Sequence, residues 1–97
     1  MTAIDTPDGH PPVRILLVDI HAISRSSSRA MLDAMPTLTV VGETSSHAEA
    51  MQMAAVLEPD VVLVGMRVQG SSGPDTSRAL IKAFPGLRVV FLTLFYE

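Results

Sequence analysis

At 97 residues the chain has the length of one domain, and 47% hydrophobic residues give it an aliphatic core with six methionines and only four aromatics. The net charge of −3 argues against a phosphate-backbone binder, which needs a basic patch, and the lack of cysteine excludes disulfides, thiolate chemistry and Cys-based metal sites. No basic-plus-apolar signal pattern opens the chain and no apolar run nears the ~18 residues of a membrane span, so a cytoplasmic, non-membrane protein is expected.

Residues 1–12 mix Pro, Gly, Asp and Thr without periodicity and read as a disordered arm, with His10 solvated rather than a ligand. Val13 to Asp19 is a near-continuous apolar run that suits a buried parallel strand. A helix is expected from Ala22 to Met35, ended by Pro36, with Ile23, Ala30, Met31 and Ala34 as its apolar stripe. Ser24, Ser26, Ser27 and Ser28 fill the rest and read as solvated filler rather than a modification site. A short second strand, Leu38 to Glu43, follows. Ser46 and Glu49 then fit a capping box that opens a helix from His47 to Leu57. Ala48, Met51, Ala54 and Ala55 recur at helical spacing, Met51 and Met53 read as packing residues, and His47 reads as a surface histidine.

Asp60 to Met66 has the character of a central strand covered on both faces. In open α/β sheets the working groups sit just past the carboxyl ends of such strands. Gly65 stands there, with no side chain to act as nucleophile, acid, base or ligand. Arg67 to Pro74 reads as a loop, and a third helix starts near Pro74 with Ser72 and Asp75 as a second capping box. Leu80, Ile81 and Phe84 are its expected buried face, and Pro85-Gly86 ends it. Leu87 to Leu94 is the fourth strand. The alternation implies a parallel sheet with right-handed crossovers. The glycines match neither GxGxxG nor GxxxxGK[ST], so no phosphate cradle is expected.

Ile15-Leu16-Leu17-Val18-Asp19-Ile20-His21, the run from Glu58 to Leu63, Gly70 to Gly73, and Phe84 to Leu94 together resemble the receiver domain of bacterial response regulators. His21, Arg25 and the Phe-Pro-x-Leu-Arg-Val-Val-x-Leu-Thr string from Phe84 are most similar to the branch with a C-terminal helix-turn-helix output domain. The resemblance spans residues 13–97 and implies an α/β, flavodoxin-like three-layer fold with strand order 2-1-3-4 here, within the family's 2-1-3-4-5. Relative to that pattern the fourth helix, fifth strand and fifth helix are not in the sequence.

A working receiver of this kind uses an acidic pair after its first strand, an Asp at the end of the third as phosphoryl acceptor, a Thr or Ser after the fourth and a Lys after the fifth. The carboxylate attacks a phosphoryl group whose charge Mg²⁺ and a cation neutralise. Here Asp19 matches the first acid, Ile20 replaces the second, Gly65 replaces the acceptor, Gln69 stands for the usual Pro, and Thr93 matches the hydroxyl residue. Asp19, Ile20, Gly65 and Thr93 are therefore expected to form a vestigial pocket with no catalytic residue, metal or cofactor. Simpler readings exist for each survivor. Asp19 can satisfy backbone N–H groups at the next helix, and Thr93 suits a strand by its β-branching.

The fourth strand is expected to be an exposed apolar edge, an aggregation template unless another chain covers it. Two copies pairing along it, antiparallel across a two-fold axis, would complete each other, with Val89, Val90, Phe91, Leu92, Leu94, Phe95 and Tyr96 at the interface. The resulting reading is a non-enzymatic, phosphorylation-independent receiver-like module that homodimerises and meets other two-component proteins, without nucleic acid. The alternatives are a residual receiver that holds Mg²⁺ or a phosphoryl group through Asp19 and Thr93, and a functionless remnant of a longer regulator.

Overall fold

The computed structural model describes residues 9–92. In chain order they form β1 (Val13–Val18), α1 (Ala22–Asp33), β2 (Leu38–Thr44), α2 (His47–Leu57), β3 (Val61–Val64), β4 (Arg67–Val68), β5 (Ser71–Ser72), α3 (Gly73–Ala83) and β6 (Arg88–Phe91). β1 lies between β2 and β3, and β6 pairs with the far side of β3, so the parallel sheet runs β2-β1-β3-β6. This is the expected 2-1-3-4 order, with β6 as the fourth strand of the sheet.

The two apolar runs occupy the centre because only central parallel strands are covered on both faces. Leu16, Val18, Val62 and Val64 point to one face, where Ala50 and Ala54 of α2 and Leu80 of α3 close over them, all within 3% of complete burial. Ile15 and Leu17 point to the other face, where α1 packs over β2 and β1. The bulge in β2 between the partners of Ile15 and Leu16 brings Gly42 under α2. A Cβ there would stand 2.7 Å from the Met53 methyl and 3.0 Å from a Leu57 methyl, so a larger residue would push these side-chain ends aside.

The N-caps of α2 and α3 form through serine. The Glu49 N–H donates to Ser46 Oγ at 3.1 Å, and the Asp75 N–H donates to Ser72 Oγ at 3.1 Å. The return arms of the expected boxes are different. Glu49 accepts from the Thr44 hydroxyl at 2.6 Å, and that hydroxyl accepts from the Ser46 N–H at 3.2 Å, so Thr44 relays the contact. Asp75 pairs with Arg78 instead.

Several expectations need correction. The stretch from Arg67 to Ser72 is a small antiparallel hairpin rather than a loop, turned by Gly70 at φ 85°. It is tied to α2, since the His47 N–H donates to the Gln69 carbonyl and the Gln69 N–H to the Ser45 carbonyl. α1 stops at Asp33, two residues early, and its expected stripe faces outward: Ile23 is 83% and Met31 65% exposed. Ser24, Arg25, Ser28, Arg29 and Leu32 take the inward side. On α2 the buried alanines are Ala50 and Ala54, while Ala48 and Ala55 are exposed. On α3 Leu80 is buried as expected, but Ile81 is exposed, and Gly73 and Thr76 are buried in addition. His47 is half-buried, its Nδ1 2.9 Å from the hydroxyl of fully buried Thr76, which links α2 to α3. The arm falls mostly outside the described residues, as do Thr93, Leu94, Phe95 and Tyr96 of the expected pocket and interface.

Candidate functional site

The carboxyl ends of β1 and β3 lie side by side in the middle of the sheet, which brings Asp19 and Gly65 together. The Gly65 N–H donates to the Val18 carbonyl at 2.8 Å, continuing the ladder one residue past the strand. Asp19 is fixed from both sides. Its N–H donates to the Thr44 carbonyl at 3.0 Å, and its own carbonyl accepts from Arg25 Nη1 at 2.7 Å. Arg25 lies one turn into α1, directly above Asp19, which its four-residue offset from His21 makes legible.

The Asp19 side chain bends over the empty position. Its Oδ1 accepts from the His21 N–H at 2.9 Å, the backbone-satisfying role expected for it, although the α1 N-cap is His21. Its Oδ2 lies where a neighbouring side chain would begin: a Cβ on Gly65 would stand 2.6 Å from it and 2.7 Å from Cγ. On the opposite side the Gly65 carbonyl packs against Cα of Gly73, and the Gly73 N–H donates to the Met66 carbonyl at 2.9 Å. A Cβ on Gly73 would also stand 2.5 Å from the Phe91 ring. The sequence marks Gly73 only as the end of the Gly70 to Gly73 run; its close approach to Gly65 is a feature of the fold.

Ile20, which stands where the family pattern has its second acid, is 40% exposed, and Met66, just past Gly65, is 51% exposed. What remains beside Gly65 is a crevice of about 10 Å³ lined by Asp19, Arg25, Ser28, Leu63, Gly65 and Leu92, room for about one water. Magnesium asks for several hard oxygens near octahedral geometry. Among the described residues no three His, Asp or Glu side chains are grouped so as to hold a metal, and half of the one local carboxylate is committed to a backbone N–H. The donor set does not fit Mg²⁺.

A wider concavity, about 660 Å³, lies at the opposite end of the sheet between the C-terminal ends of α2 and α3. Its wall is mainly Ala54, Val61, Phe84 and Leu87, and the nearby Asp60 carboxylate is taken by the Arg14 N–H at 2.9 Å. It is an open groove remote from Asp19 and Gly65, and it brings no acid, base and nucleophile together.

A profile of the response regulator receiver domain matches residues 15–97. The chain belongs to this family. The receiver is 31% identical over 85 residues to the transcriptional regulatory protein LiaR of Bacillus subtilis, covering 88% of this chain and 40% of LiaR. It is 38% identical over 81 residues to the DNA-binding transcriptional activator DevR/DosR of Mycobacterium tuberculosis, covering 84% of this chain and 37% of that protein. Among solved structures it resembles a LuxR-family two-component response regulator from Aurantimonas, with a TM-score of 0.80 and 27% identity, covering 89% of this chain and 61% of that one. These similarities are to response regulators of the LuxR/NarL type. The chain spans about two-fifths of the length of the curated relatives. Among the described residues, no helix is long and apolar enough to cross a membrane.

Proposed function

We propose that this receiver is a non-enzymatic, phosphorylation-independent signalling module of the cytoplasm that acts by protein–protein contact, first of all with a second copy of itself through β6. The observation that carries the reading is the Asp19 carboxylate lying in the space a Gly65 side chain would take. An acceptor is lost, and its volume is filled by a group that repels an incoming phosphoryl anion. Ile20 supplies no second carboxylate, so neither the nucleophile nor the metal that phosphoryl transfer needs has a place.

Support for self-association comes from β6, an edge strand among the described residues, with Val90 at 46% exposure and Leu92, just past the strand, at 41%. An uncovered apolar edge of this kind invites pairing with another chain. The net charge of −3 argues against direct contact of this segment with nucleic acid.

Two measurements test the proposal. Intact mass after incubation with acetyl phosphate and Mg²⁺ is expected to show no phosphoryl adduct; a Mg²⁺-dependent adduct overturns phosphorylation independence. Light scattering over a dilution series is expected to show a dimer; a monomer at every concentration overturns the self-association.

A further inference from the structure

The α1 face of the sheet has two unlike halves. α1 packs over β2 and β1, while the half formed by β3 and β6 has no described helix packed on it. Alternation along the strands points Leu63, Val90 and Leu92 to this side, and Leu63 and Val90 are direct register partners. Leu63 and Leu92 also line the crevice beside Arg25 and Ser28 of α1, which confirms the side they face. The result is an apolar slot one helix wide, next to α1.

α1 itself is amphipathic in the reverse sense. Ile23, Ser27 and Met31 follow one another at i, i+4 and i+8 on the side away from its own sheet, and all three are exposed. The inward side carries two serines, two arginines and only one leucine. Arg29 pairs with Glu43 at 2.8 Å and Arg25 with Glu43 at 3.5 Å, so polar contacts hold the helix to β2 while its stripe is left over.

We infer that α1 of one copy docks into the β3/β6 slot of a second copy, and the second copy's α1 into the slot of the first. This rests on the self-association proposed above and specifies its form: contact runs through the face of β6 rather than its hydrogen-bonding edge. A two-fold axis parallel to the strands, passing between the helix position and the slot, performs both dockings at once. The two α1 helices then lie side by side between two sheets, each with its polar side on its own sheet and its stripe on the partner's.

Spacing and charge both favour a second copy as the occupant. Because β1 and β2 are parallel, α1 runs antiparallel to the strands. The axis preserves strand direction, so Ile23 meets the Leu92 end of the slot and Met31 the Arg88 end. Ile23 to Met31 spans about 12 Å at 1.5 Å per helical residue, and Leu92 to Arg88 about 13 Å at 3.3 Å per strand residue. The last turn of α1 has no basic residue of its own, and Arg88 is exposed at the slot end where that turn arrives. A cation there complements the helix C-terminus.

The chain has no cysteine, so introduced thiols report cleanly. Ile23→Glu is expected to weaken the wild-type dimer at least ten-fold by light scattering, with unchanged circular dichroism because Ile23 is 83% exposed. Ser26→Glu, on the same helix but off the stripe, adds the same charge and is expected to leave the dimer intact. Mixing an Ile23→Cys chain with a Leu92→Cys chain under oxidation is expected to give a mixed disulfide dimer. A dimer that survives Ile23→Glu, with Leu92→Cys chains cross-linking only to each other, overturns helix docking and keeps association through β6. A wild-type monomer at all concentrations overturns the association itself, and the docking with it.

Discussion

The carboxylate of Asp19 stands 2.6 Å from where the first side-chain atom of residue 65 would lie, so these two positions compete for one volume. Gly65→Ala forces Asp19 to turn away and surrender its hydrogen bond from the His21 N–H. A loss of about 1 kcal/mol is expected. Once Asp19→Ala has vacated the space, adding Gly65→Ala costs less, and the double variant is less destabilised than the sum. Thermal melts of the four proteins check this; strict additivity would mean that the two positions do not compete.

The contact between His47 and Thr76 predicts an asymmetric pair of variants. Thr76 is fully buried, so His47→Ala leaves its hydroxyl without the 2.9 Å partner and is expected to cost about 1–3 kcal/mol. Thr76→Val removes the buried hydroxyl itself and leaves a half-exposed histidine that water can reach, so it costs less. Urea midpoints at equal m-value measure the difference.

Leu80 and Ile81 are adjacent on α3, and they differ in burial from 0% to 51% exposed. Leu80→Ala is expected to cost about 2–5 kcal/mol through the cavity it leaves, enough to unfold much of a small domain. Ile81→Ala is expected to change stability by under about 1 kcal/mol. Denaturant melts separate the two.

Glu43 joins Arg25 and Arg29, and Arg29 also reaches Asp33 at 3.3 Å. The Glu43 hydrogen bond holds the Arg29 guanidinium above the ordinary arginine range. A raised value stabilises the fold below the unfolded-state pKa and is lost only as pH rises past the folded one, so Arg29 contributes no pH dependence near neutrality. Glu43→Gln is expected to cost about 0.5–1 kcal/mol in low salt and less at high ionic strength, as thermal melts in both buffers will show.

The sheet was legible because Leu16 to Val18 and Val61 to Val64 are apolar on both faces, which few other contexts permit. Ser46 and Ser72 were legible because a capping hydroxyl acts over three residues. α1 departs from its expected orientation for a physical reason: its strongest apolar row faces outward, and the inward contacts are made by arginines reaching Glu43 and Asp19, pairs that local periodicity does not contain. The β4–β5 hairpin has two-residue strands, too short for alternation to register. The sequence shows that position 65 carries no side chain, but which group fills its space depends on how two strand ends meet.

Gly65 is held from both sides, and that bears on descent. Gly73 buttresses its carbonyl, so the backbone has no room to retreat when a side chain appears on the Asp19 side. Refilling position 65 therefore passes through less stable intermediates unless Asp19 changes first, and changing Asp19 first gives up a hydrogen bond with nothing in return. Under the proposed reading the empty position behaves as a ratchet: drift can rework exposed side chains such as Val56 or Ile81 one step at a time, while the centre stays closed to simple reversion.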